Sequence, residues 1–126
     1  MTTRTGTIVL IDDDVALQTV LEMALTNEGF TVCTANDGEQ ALQLIADVQP
    51  DLVISDIMMP NMDGVEMFQR IKEHLQDDGI PIIIMTALNR KPWFDDLEID
   101  GAVILQKPFQ IDYLLNLVNV SLEPLG

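Results

Sequence analysis

The sequence predicts an α/β fold: a five-stranded parallel sheet covered by helices on both faces. Three observations predict it. Short apolar runs alternate along the chain with segments whose apolar residues recur at helical spacing. The runs are short, which suits buried strands. Four of them also end on residues that handle phosphate or metal, and an open parallel sheet gathers its ligand chemistry at the carboxyl ends of its strands.

Residues 7–11 read as the first strand and run into Asp12, Asp13 and Asp14. Leu17, Val20, Leu21, Ala24 and Leu25 then repeat at helical spacing until Gly29 stops the helix. The second strand is expected over 30–35, with Cys33 as a buried, inert thiol. Gly38 precedes a helix carrying Ala41, Leu44, Ile45 and Val48, which Pro50 closes. The third strand, 51–55, runs into Asp56. Residues 58–64 (MMPNMDG) have the Pro, Asn, Asp and Gly content of a loop. A helix on Val65, Phe68, Ile71 and Leu75 follows, broken by Asp77-Asp78-Gly79. The fourth strand, 81–86, ends on Thr86. Pro92 fits the first turn of a short helix reaching about Ile99. The fifth strand, 102–106, is followed by Lys107-Pro108, and the last helix covers about 110–122.

In that last helix Ile111, Leu114, Leu115, Val118 and Leu122 share one face, which should meet the sheet. Tyr113, Leu117 and Val120 form a second stripe, expected to be exposed and, with Trp93, to contact a second copy or a target protein.

At 126 residues the chain is expected to form one domain, 1–126, with its core over about 7–122. Pro124-Leu125-Gly126 reads as a tail, so no output domain is expected in this chain. Twenty-one acidic residues against six basic ones give a net charge of −15, which argues against binding nucleic acid or an anionic membrane. A single cysteine precludes an internal disulfide, and no apolar stretch is long enough to span a membrane. The start lacks the apolar core of a signal peptide, so a cytoplasmic location is expected.

The stretches VLIDDD (9–14), DLVISDIMMPNMDG (51–64), PIIIMTA (81–87) and KPF (107–109), in this order and spacing, resemble a response-regulator receiver domain. That is the phosphoacceptor half of a two-component relay, with flavodoxin-like (βα)5 topology and strand order 2-1-3-4-5. The resemblance implies that Asp56 takes a phosphoryl group from a sensor histidine kinase or histidine phosphotransfer protein. It implies Mg2+ on Asp13, Asp56 and the Met58 carbonyl, with Asp12 acting mainly through water. It gives Lys107 and Thr86 the phosphoryl oxygens, and makes the Lys107–Pro108 bond cis. Such a domain is a signalling phosphoacceptor rather than an enzyme. Met58 and Leu88 would flank the approach of water, and their apolar side chains imply a long-lived phosphorylated form.

The chain departs from the family at Ile104, where receivers commonly carry Tyr or Phe three residues before the lysine. The usual coupling of the threonine to an aromatic switch is therefore not expected. Two other readings stay open. An aspartyl phosphatase of the haloacid-dehalogenase type would use Asp12 as nucleophile and Asp14 as acid/base. It needs an acidic pair after the lysine, however, and the only acids beyond Lys107 are Asp112 and, next to the tail, Glu123. A pseudo-receiver would be an interaction module that is never phosphorylated. His74 has no second metal ligand nearby and reads as surface, and Met58, Met59, Met62 and Met67 read as packing.

Overall fold

The computed structural model describes residues 6–56, 66, 69–70, 80–87, 91–92, 94–99 and 101–122. Five parallel strands are present: β1 (Thr7–Ile11), β2 (Thr31–Ala35), β3 (Leu52–Asp56), β4 (Ile82–Thr86) and β5 (Ala102–Gln106). They lie side by side in the order β2-β1-β3-β4-β5. The described helices are α1 (Val15–Asn27), α2 (Gly38–Val48), α3 (Phe94–Ile99) and α4 (Ile111–Ser121).

Alternation along the strands divides the core in two. Val9 and Ile11 of β1 face one way, with Val53, Ile82 and Ile84. They pack against Ala41 and Ile45 of α2 and Phe94 and Leu97 of α3. Ile8 and Leu10 face the other way with Leu52, Ile54, Ile83 and Met85. Leu21 and Leu25 of α1 and Leu114 and Val118 of α4 cover that side. All residues of β3 and β4 are buried, which is why these strands read as unbroken apolar runs.

The helix ends follow local chemistry. Asp14 caps α1 by accepting the Leu17 N–H at 3.1 Å, and Asp37 caps α2 by accepting that of Gln40 at 2.9 Å. Gly29, at φ 101°, ends the α1 turn in a left-handed conformation that glycine adopts without strain. The Lys91 and Pro92 carbonyls accept from Phe94 and Asp95 at the start of α3.

Three expectations are corrected. β2 is an edge strand, so Cys33 is half-buried rather than buried. Val20 is 52% exposed, and Gln18 takes a place on the buried face of α1 instead. Leu117 is partly buried against the α1–α4 side of the core, which leaves Tyr113 and Val120 as the exposed apolar residues of α4. Residues 66, 69 and 70 are helical, and Arg70 donates to Glu66 at 3.2 Å across one turn. The rest of the helix expected there lies outside the described residues, as do the 58–64 loop, His74, Trp93 and the four methionines noted above.

Candidate phosphoacceptor site

The strand register assembles the site. Ile11 pairs with Ser55, so the next residue of each strand, Asp12 and Asp56, come side by side. Asp56 pairs with Met85, and Thr86 pairs with Gln106, so Thr86 and Lys107 follow at the same end of the sheet. The Lys107 N–H donates to the Thr86 carbonyl at 2.6 Å, which ties the end of β5 to the end of β4. β5 lies two strands from β3, about 10 Å at the usual strand spacing. The long lysine stem crosses that gap.

Lys107 Nζ donates to Asp56 Oδ2 at 3.0 Å and to Asp12 Oδ2 at 3.4 Å. Asp12 is fully buried, Asp56 is 8% exposed and Thr86 is fully buried. Asp13 is exposed at the rim. The other Asp12 oxygen, Oδ1, accepts the Asp14 N–H at 2.9 Å. One carboxylate oxygen from each of Asp12, Asp13 and Asp56 lies within 4.8 Å of the others. Among the described residues, three carboxylates face one ammonium there.

Burial pushes the Asp12 carboxyl above its ordinary value of 3.8. The Asp56 charge adds to this, and together they outweigh the Asp14 N–H and the Lys107 ammonium. Burial works against the Lys107 ammonium too, yet the hydrogen bond and charge of Asp56, helped by Asp12, hold its pKa above 10.5. The two partners shift in the same direction for different reasons: desolvation dominates at the buried aspartate, and two carboxylates dominate at the partly exposed lysine.

The donor set suits a hard divalent cation. Three carboxylates converge with no thiolate or imidazole among the described residues of the cluster, and magnesium prefers such oxygen ligands in small number. Asp12, Asp13, Asp56 and Lys107 are thus brought together as the sequence suggested, with Thr86 at the end of the adjacent strand. The Lys107–Pro108 bond is cis. Met58 and Leu88 lie outside the described residues. Ile104 is half-buried and packs against the cluster that includes Phe94 and Leu97.

Sequence reasoning missed Gln18. Its side-chain amide is buried and donates to the Ala35 carbonyl at 2.8 Å and the Asp12 carbonyl at 3.3 Å. A signal was present: residues 18, 21 and 25 share one helix face, so a polar residue there needs a buried partner.

Comparison with known proteins agrees with this arrangement. The Vibrio cholerae chemotaxis response regulator CheY4 superposes with a TM-score of 0.85 at 27% identity, covering 94% of this chain and 99% of that one. The CheY of Borrelia burgdorferi, solved in a CheX-CheY-BeF3-Mg+2 complex, gives 0.85 at 30% identity, covering 94% and 90%. Among curated proteins, the transcriptional regulatory protein AfsQ1 of Streptomyces coelicolor is 41% identical over 92 residues, 73% of this chain and 37% of that protein. The DNA-binding transcriptional regulator NtrC of Escherichia coli is 36% identical over 127 residues, 94% of this chain and 25% of NtrC. The chain therefore spans well under half the length of these curated relatives. The family described as response regulator receiver domain matches residues 8–119. With that match covering most of its length, the chain belongs to the response regulator receiver domain family.

Proposed function

We propose that this receiver accepts a phosphoryl group on Asp56 from the phosphohistidine of a sensor histidine kinase or histidine phosphotransfer protein. The observation that carries the reading is Lys107 Nζ lying 3.0 Å from Asp56, at a point where the Asp12 and Asp13 carboxylates also converge. An Asp56 oxygen bonds to phosphorus as the phosphorus–nitrogen bond of the donor breaks. The departing imidazole keeps the electron pair and takes up a proton. Such a transfer needs positioning and charge neutralisation more than covalent assistance.

Lys107 supplies a point charge for a phosphoryl oxygen, and it already rests against the acceptor carboxylate. Thr86 supplies a hydroxyl from the adjacent strand end. Mg2+, held by Asp13, Asp56 and the Met58 carbonyl with Asp12 acting through water, would neutralise charge on the transferring group. The magnesium-containing complex of the Borrelia CheY supports this part of the reading.

Phosphorylation then alters a protein-interaction surface. Tyr113 and Val120 of α4, 57% and 66% exposed, are its best candidates, for a second copy or a target protein. Ile104 offers no ring or hydroxyl to relay the change, so Thr86 would act through backbone and packing instead. The acidic charge of this domain disfavours direct contact with nucleic acid, and in a longer protein any DNA binding would belong to other segments. No described helix is long and apolar enough to cross a membrane, and the proposed setting is the cytoplasm. The phosphatase alternative gains nothing from the geometry, because it gives Asp56 no role beside Lys107.

The test is incubation with a labelled small phosphodonor and Mg2+. Wild type should take up label, and Asp56→Asn should not. Equal labelling of the two proteins would refute the assignment.

A further inference from the structure

The acidic loop is held through its backbone by a buried side chain of α1. Gln18 lies on the buried face of α1 with Leu21 and Leu25, where an amide is costly to bury unless it is bonded. Its two amide hydrogens go to two carbonyls, Ala35 at the end of β2 and Asp12 at the end of β1. Both partners are acceptors, so the nitrogen must be the atom that faces them. The Ala35 carbonyl also accepts the Asp12 N–H at 3.2 Å, and the Gln18 backbone N–H bonds to the Asp14 carbonyl at 2.9 Å. The side chain thus ties together two strand ends, and the backbone of the same residue closes the first turn of the helix.

The Asp12 carbonyl belongs to the peptide plane that joins Asp12 to Asp13. Fixing that plane fixes where the Cα atoms of both residues sit relative to the end of β2, and leaves ψ of Asp12 and φ of Asp13 as the rotations that aim their side chains. Asp13 is exposed. We propose that Gln18 is a positioning residue for the pocket, holding the Asp12–Asp13 peptide so that both carboxylates converge with Asp56. The inference rests on the Mg2+-dependent phosphoacceptor reading above. It adds that the geometry of the pocket depends on an amide behind it.

The experiment measures Mg2+ affinity by calorimetry, backbone amide exchange at Asp12–Asp14, and labelling by a small phosphodonor. It compares wild type, Gln18→Met, Gln18→Asn and Leu21→Val. Gln18→Met keeps the length and loses the donors. Its Mg2+ affinity should fall about tenfold, the low end for residues that orient metal ligands, and exchange at 12–14 should quicken. Gln18→Asn keeps the amide but is too short to reach both carbonyls. It should show the same loss, and it carries the test if Gln18→Met does not fold. Leu21→Val loosens the same helix face without touching the loop and should keep wild-type Mg2+ affinity. Wild-type affinity and exchange in the folded Gln18 variants would overturn the inference. So would an equal loss in Leu21→Val, which would reduce Gln18 to ordinary helix packing. Failure of the underlying reading would show separately, as a wild type that neither binds Mg2+ nor takes label.

Discussion

Replacing Lys107 by Met removes one charge and keeps most of the stem. The ammonium lies 3.0 Å from Asp56 and 3.4 Å from Asp12. At an effective dielectric constant of about 20, each contact is worth roughly 5 kcal/mol of gross attraction. Desolvation of the three groups offsets most of it. Breaking a buried pair by removing one partner costs about 3–5 kcal/mol net. The lysine side chain is 20% exposed, which places the expectation at the low end, about 3 kcal/mol. With an unfolding entropy of about 2.1 cal/mol/K per residue, a chain of 126 residues should lose about 11 °C in Tm. The variant also leaves Asp12 and Asp56 facing each other without the Lys107 ammonium. Millimolar Mg2+ should therefore recover much of the deficit, and the two melting curves should draw together as Mg2+ rises. Mg2+ should bind Lys107→Met more tightly than wild type, because it no longer competes with the ammonium for the same carboxylates. Phosphate uptake should nevertheless fall. Thermal denaturation across a Mg2+ series, with calorimetric titration, reads both effects. An unchanged Tm without Mg2+, or weaker Mg2+ binding by the variant, would refute the reasoning.

The remaining expectations follow from the same charges. Asp12 has a folded-state pKa raised above 3.8, chiefly by burial. The folded state therefore holds its proton longer than the unfolded state, and stability declines as pH rises from 3.8 through the folded value. Asp12→Asn keeps an acceptor for the Asp14 N–H, and should melt a few degrees higher than wild type at neutral pH without Mg2+ and flatten that decline, as scanning calorimetry would show. Lys107, raised above 10.5, contributes stability that is complete below 10.5 and lost as pH climbs through its folded value. An alkaline unfolding series should show this loss in wild type and not in Lys107→Met. Asp13 is exposed, so Asp13→Ala should change stability by less than about 0.5 kcal/mol. It should nonetheless weaken Mg2+ binding clearly in a titration.

Much of this architecture was legible because the two periodicities are clean. The fully buried strands β3 and β4 announce themselves as apolar runs, and each ends on a chemically distinctive residue. Parallel topology then sends Asp12, Asp56, Thr86 and Lys107 to one edge before any coordinate is known. What the sequence hid was two-dimensional context. Cys33 looks like a core residue within its own strand, and only the strand order shows that β2 is an edge. Val20 and Gln18 are exchanged in the expectation because hydropathy ranks valine above glutamine. The burial of Gln18 depends on two carbonyls contributed by other strands. Leu117 sits between the two faces of α4, and its angular position alone does not decide which one it joins. Local pattern reports what a residue prefers, and tertiary partners decide what it receives.

The location of the phosphate decides whether Asp56 is the phosphoacceptor. The protein is incubated with a small phosphodonor, with and without Mg2+. The acyl phosphate is trapped by borohydride reduction, and the modified peptide is identified by mass spectrometry. A single modified residue, Asp56, is expected, formed only when Mg2+ is present. Modification at Asp12 or elsewhere, or at Asp56 to the same extent without a divalent cation, would contradict that expectation.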